Sequence, residues 1–241
     1  MCTLTIVIRD HGYSLAMNRD EQLTRNDAVP PVKADLRGTS VVYPRDSAGG
    51  TWVAVNERGI ALALLNWNDV PQPTTEKVRS RGAVIPTLVG CNSLAEVRNA
   101  LSGLDLSGVW PFRLVGVFPA EQVICEWDWN QDKLETPARE WKSQHWFSSS
   151  LSDAQASEKR GEVCQAAWTA TDAGTLPWML RLHASHANGP GAFSLCVHRE
   201  NVGTLSYMEI DCGLESIACR YWAGAPCEQA EPGDATYLVR T

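Results

Sequence analysis

Cys2 follows Met1 and heads the apolar run Leu4-Thr5-Ile6-Val7-Ile8. Methionine aminopeptidase acts before a small residue such as Cys, and trimming leaves a thiol and a free α-amine on one residue. An α-amine titrates near ~7.7–8.0, so at neutral pH it can take the thiol proton without a histidine. Nucleophile and base would then be the same residue. Taken alone, a second-position Cys reads equally as a small buried hydrophobe. The residues that the fold brings beside it separate the two readings.

The elements that must do this are two hairpins. Thr3 to Ile8 is rich in β-branched residues, Asp10-His11-Gly12 is turn chemistry, and Tyr13 to Met17 is apolar again. A turn centred on His11 sets Cys2 opposite Asp20 and Thr3 opposite Arg19. The cluster Asn18-Arg19-Asp20-Glu21 then lies beside the chain start. The second hairpin runs from Thr51-Trp52-Val53-Ala54-Val55 through the turn Asn56-Glu57-Arg58-Gly59 to Ile60–Leu65, and it delivers Asn66 at its end. Ile60 to Leu65 is apolar at every position, the pattern of a strand covered on both faces. Asn56-Glu57-Arg58-Gly59 reads as turn chemistry rather than catalysis.

Farther along, Ala83–Val89 and Ser93–Leu101 read as helices, the second capped by Ser93 or Asn92 with Glu96 close behind. Strand character resumes at Phe112–Phe118, Gln122–Trp129 and His145–Ser149. Helices follow near Ala156–Thr171 and over Leu176–Leu182, and strands at Phe193–His198, Thr204–Ile210, Ser216–Tyr221 and Thr236–Val239. Runs of strands with helices inserted, rather than strict alternation, predict antiparallel sheets with helices outside. No repeat or linker divides the chain, so one domain over residues 1–241 is expected.

Composition narrows the function. A net charge of −7 without a block of like charge lacks the clustered cations of a nucleic-acid footprint, so the expected partners are small molecules. The longest apolar runs are strand-length and the N-terminus has no signal-peptide pattern, which predicts a cytoplasmic protein without a membrane span. The eight cysteines carry no CxxC pair and read as reduced, mostly structural thiols. Homo-oligomer formation is left open.

Met1-Cys2-Thr3, Asn18-Arg19-Asp20-Glu21, Gly49-Gly50-Thr51-Trp52, Val55-Asn56-Glu57-Arg58-Gly59 and Asn66 together resemble the NRDE family, which includes the transport and Golgi organisation protein 2 group. Leu195-Cys196-Val197-His198-Arg199, Thr204-Leu205-Ser206 and Gly224-Ala225-Pro226-Cys227 resemble that family's later pattern. The family is similar in turn to cysteine-type N-terminal-nucleophile hydrolases, including bile salt hydrolases and penicillin V acylases. The resemblance implies an α+β fold, a four-layer αββα sandwich of two antiparallel sheets. It also implies an amidohydrolase-like activity on a non-peptide C–N amide, with an acyl-enzyme on Cys2 and no cofactor. In that reading Cys2 is the nucleophile, Arg19 steadies the thiolate, Asp20 holds the α-amine and Asn66 is the side-chain oxyanion donor. The hydrolases place their Asp further after the Arg. Ser149, in Phe147-Ser148-Ser149-Ser150, stands where they carry a second Asn, and offers a hydroxyl in its place. Asn18, Glu21, Thr51, Trp52 and His198 are the candidate substrate-binding residues.

Two other readings compete. A binding or carrier protein for haem or an acyl-lipid metabolite would keep the fold without turnover. His183, His186, Cys196 and His198 offer soft ligands, but Gly189-Pro190 end the helix and no compact Cys-His signature follows, so no metal is expected. Cys196 and His198 would share a face of a strand, leaving His198 a pocket-lining or satisfied core residue. Alternatively, Trp127 and Trp129 on one strand face, with Trp141 and Trp146, would form a protein-binding surface.

Overall fold

The computed structural model describes residues 2–25, 28–71, 73, 78–187, 189–228 and 231–241; Met1, whose trimming would free the Cys2 α-amine, lies outside them. The first hairpin pairs β1 (Cys2–Arg9) with β2 (Gly12–Gln22). Its turn holds Asp10 and His11 alone, because Arg9 and Gly12 already pair across the strands. Gly12 has φ 115, and a Cβ there would lie 2.0 Å from the Cys212 carbonyl oxygen, so only glycine fits. This turn is centred between two residues rather than on His11, which moves the register by one. Cys2 therefore faces Arg19, and Thr3 faces Asn18. Since side chains alternate, Arg19 shares the face of Cys2 and the Asp20 side chain turns to the other.

Six strands form the first sheet in the order β10 (Gln144–Ser148), β1, β2, β11 (Val202–Cys212), β12 (Ser216–Trp222) and β13 (Thr236–Val239). The second follows the order β3 (Val29–Leu36), β4 (Thr39–Arg45), β5 (Val53–Asn56), β6 (Ala61–Asn66), β7 (Phe112–Phe118), β8 (Val123–Trp129) and β9 (Leu134–Glu135). Both are antiparallel at the pairings between these strands. Their facing sides meet in a core that includes Leu4, Ile6, Leu15 and Met17 against Val53, Val55, Ala63 and Leu65. Helices α3 (Asp153–Ala167) and α4 (Leu176–His183) cover the outer side of the first sheet, where Trp178, Met179 and Leu182 pack on Val7, Ala16 and Tyr207. Helices α1 (Val84–Leu88) and α2 (Leu94–Ser102) cover the second, Ile85, Leu88 and Val97 packing on Leu62 and Leu114. The chain is an α+β, four-layer αββα sandwich. No helix among the described residues is long and apolar enough to cross a membrane.

The apolar run of β6 has both faces buried, Ala61, Ala63 and Leu65 in the central core and Leu62 and Leu64 under the helices. The Asn56 amide is structural: its Nδ2 donates to Val89 O (2.9 Å) and Cys91 O (2.7 Å), and its Oδ1 accepts from Arg58 and Ile60 N–H. Ser93 caps α2, accepting Glu96 N–H at 3.2 Å, and Glu96 reaches back to Asn92 N–H at 2.8 Å.

Several expectations are corrected. Helix α3 starts at Asp153 rather than Ala156, because Asp69 accepts the N–H groups of Asp153 (3.0 Å) and Ala154 (3.2 Å) from 84 residues away, beside the Ser152 cap. Phe193–His198 is not a strand; it keeps only an isolated bridge, His198 to Gly203. Leu195, Cys196 and Val197 are buried in succession, and Asn18 Nδ2 takes the Leu195 carbonyl that a ladder would have used. β3 and β4 carry no expectation from sequence; β3 is an edge strand with Pro30, Pro31, Lys33 and Asp35, residues that blunt a strand pattern. Trp127, Trp129 and Trp146 are core, so they present no binding surface. All eight cysteines are free thiols, and Cys227 is exposed.

Candidate active site

The hairpin register gathers charged groups where the two sheets open at one end. Cys2 begins β1 between two neighbours, Arg19 on β2 and Ser148 on β10, and its backbone N–H donates to Ser148 Oγ at 2.8 Å. Across the gap stand Thr51 and Trp52 before β5 and Asn66 at the end of β6. Together with Asp20 and Glu21 they line a cleft of about 490 Å³.

The Arg19 guanidinium is buried and stacks on the Trp52 ring at 4.7 Å, and its Nη1 has no hydrogen-bond partner among the described residues. A desolvated cation with a spare donor is thus fixed on the face of Cys2. Arg81 also lines the cleft, lying 5.7 Å over Trp110 and donating to Pro111 O at 2.9 Å. Burial holds its pKa down at about 10, while the Cys2 thiol and the Glu21 carboxylate pull it upward. Arg25 pairs with Glu21 at 2.5 Å and reaches Asp46 at 3.4 Å on the rim.

The Cys2 thiol departs from the simple expectation of a guanidinium-lowered pKa. Burial pushes it up; the positive charge of the amino terminus and the Asp20 backbone N–H pull it down, and the Asp20 and Glu21 carboxylates add to the rise. The resting group is the neutral thiol, which needs a base to react. With Met1 in place no free amine sits on Cys2. Alkylation of that untrimmed form should therefore be slow at pH 7 and rise with pH beyond the ordinary thiol range, because only the thiolate attacks. Rate against pH by mass spectrometry checks this, and a plateau already at neutral pH would contradict it.

Asp20 faces the other side of the sheet, held by Thr204 Oγ1 donating to Oδ1 at 2.7 Å and by Arg160, whose Nη2 lies 3.7 Å from Oδ2. Arg160 projects from α3 and is wholly buried. Its Nη1 donates to Thr3 Oγ1 (2.9 Å) and to the carbonyls of Cys2 and Ser148 (3.4 Å each), and its Nη2 to Ala192 O (3.1 Å). This guanidinium fixes the backbone of the candidate nucleophile, and sequence reading missed it. On a polar helix an arginine carries no local sign of burial.

Asp153 ties the two sides of the cleft mouth, accepting Asn68 N–H at 2.7 Å, Asn68 Nδ2 at 3.2 Å and Ser149 N–H at 2.6 Å. Asn66 leaves β6 just before this clamp and lines the cleft. Of the residues singled out by sequence, the cleft brings together Cys2, Arg19, Asp20, Glu21, Thr51, Trp52 and Asn66. Three stand elsewhere. Ser149 is buried with its Oγ accepting Leu151 N–H at 3.3 Å, while Ser150 lines the cleft. Asn18 points toward α4, donating to His183 O (3.0 Å) and Leu195 O (2.8 Å). His198 sits in a separate group of cysteines and histidines.

Solved structures share this arrangement of layers. A mutant of the conjugated bile acid hydrolase from Clostridium perfringens superposes with a TM-score of 0.58 at 11% identity, over 99% of this chain and 92% of the other. Penicillin V acylase from Agrobacterium tumefaciens gives a TM-score of 0.54 at 12% identity, over 99% and 86%. At such identities the likeness is one of fold, that of N-terminal-nucleophile hydrolases. No curated protein sequence matches the chain. Residues 1–173 match the family model described as Transport and Golgi organisation 2, and the chain belongs to that family.

Proposed function

We propose that the chain is an N-terminal cysteine amidohydrolase acting on a non-peptide C–N amide through an acyl-enzyme on Cys2. The observation that carries this reading is the convergence of Cys2, Arg19 and Asn66 on one cleft, with the Asp20 carboxylate behind Cys2 on the other face of the sheet. After removal of Met1, the freed α-amine of Cys2 takes the thiol proton, and Ser148 Oγ, 2.8 Å from that nitrogen, orients it. Arg19 stabilises the thiolate, and Asp20 supplies negative charge for the ammonium. Attack on the carbonyl carbon forms the C–S bond and an oxyanion that Asn66 Nδ2 meets. The C–N bond then breaks as the ammonium passes its proton to the leaving amine. Water, deprotonated by the α-amine, cleaves the thioester and restores the thiol. Glu21, Thr51 and Trp52 form the substrate wall, and free thiols suit work in the cytoplasm.

On an amide substrate found by screening, Asn66→Ala should lower kcat by about 10²- to 10³-fold, the effect of losing one oxyanion donor, with KM little changed. An unchanged kcat would remove Asn66 from the chemistry. Ser149, its hydroxyl turned to Leu151, adds no second donor, and this favours one other reading: a non-hydrolytic carrier of haem or an acyl-lipid metabolite. That reading predicts saturable binding, no turnover and indifference to Cys2→Ala.

A further inference from the structure

We propose that His186, Cys196, His198 and Cys227 bind one zinc ion in a closed site with four protein ligands. Their ligand atoms all lie within 4.8 Å of one another. Cys196 Sγ is 3.4 Å from Cys227 Sγ and 3.6 Å from His198 Nε2, and His198 Nε2 is 3.1 Å from Cys227 Sγ. The His186 ring completes the group 4.9 Å from that of His198, and its buried Nε2 has no hydrogen-bond partner among the described residues. Tetrahedral zinc, with Zn–S near ~2.3 Å and Zn–N near ~2.0 Å, sets neighbouring ligand atoms roughly 3.3–3.8 Å apart. Three of the four atoms are already spaced about that way, and a small inward shift of His186 closes the fourth side.

The chemistry fits as well as the distances. Two thiolates and two neutral imidazoles form a net-neutral complex with a divalent ion, and each thiol releases its proton to solvent on binding. His198 presents Nε2 to the sulfurs while its Nδ1 lies 4.0 Å from Glu228 Oε1, the side on which a carboxylate steadies a zinc-bound imidazole. Ordinary packing accounts for a thiol beside an imidazole, but not for two of each converging with an unpartnered ring nitrogen. The ligands come from three places: the turn after α4, the irregular loop before β11 and the turn after β12. Their separation in sequence hides the site from motif reading.

Zinc here would staple the loop that supports the far side of the cleft. Val197, between two ligands, donates its N–H to Thr204 Oγ1 at 2.8 Å, and Thr204 in turn holds Asp20. The role is structural, and it stands whether or not Cys2 turns over an amide.

The test uses the full chain purified under reducing conditions, loaded with Zn2+ and dialysed, with bound metal measured by elemental analysis. The metal-free chain is then titrated with Co2+. One zinc per chain is expected, with a cobalt spectrum showing tetrahedral ligand-field bands and thiolate-to-metal charge transfer that Zn2+ abolishes. Cys227→Ser removes an exposed ligand at little risk to folding and should lose the zinc and the charge-transfer band, whereas Cys91→Ser should keep both. A chelator should lower the melting temperature of the parent chain and not that of Cys227→Ser. A parent chain that stays metal-free, a cobalt complex without thiolate character, or a Cys227→Ser chain that keeps its zinc would each overturn the proposal. So would a Cys196–Cys227 disulfide in the reduced preparation.

Discussion

Cys2→Ala is expected to lower amide turnover by about 10⁴-fold or more, the scale of removing a nucleophile from an acyl-transfer site. The substitution deletes one small buried group, so folding should survive it. Circular dichroism and melting temperature close to those of the parent would separate lost chemistry from lost structure. Cys2→Ser keeps the geometry with a weaker nucleophile and should fall between the two. The comparison is read on kcat/KM for a single amide, with hydroxylamine trapping of the thioester as the independent signal. Equal turnover by Cys2→Ala and the parent would eliminate the acyl-enzyme on Cys2.

Arg160→Met should be the most damaging single change to the frame around the site. It keeps much of the side-chain volume but removes the buried cation near Asp20 and the donors to Thr3 and to the carbonyls of Cys2, Ser148 and Ala192. Leaving a buried carboxylate without its cation costs about 3–5 kcal/mol, and chemical denaturation would show this as a lower midpoint at unchanged slope. Adding Asp20→Asn should recover part of the loss, since the buried charge goes with it. A loss below about 1 kcal/mol, the scale of an exposed ion pair, would mean that Arg160 does not hold Asp20 in solution.

The hairpins were legible because their signals are local: β-branched runs, turn residues and an apolar strand ending in Asn66. The register of the first hairpin was not, since a slip of one residue depends on how Gly12 approaches the Cys212 carbonyl across the sheet. Asp69 and Asp153 act 84 and 85 residues from their partners, so the start of α3 and the clamp on Asn68 leave no local trace. The cleft's core of Cys2, Arg19, Asp20 and Asn66 followed from the residues together with the family resemblance. Arg81 and Arg160 did not, because an arginine's burial is decided by what packs over it. His198 and Cys196 are legible as a pair, but Cys227 arrives only through the turn after β12.

The central claim is that Cys2 becomes a poised nucleophile once its amine is free. Intact mass before and after brief exposure to a thiol-directed electrophile at neutral pH tests it most directly. Peptide mapping separates an adduct on Cys2 from one on the exposed Cys227, and the same chain with Cys2→Ala is the control. The account predicts a chain lacking Met1 that gains one adduct quickly, mapped to Cys2 and absent from the control. A chain that retains Met1, or a trimmed chain whose Cys2 stays unlabelled, would contradict it.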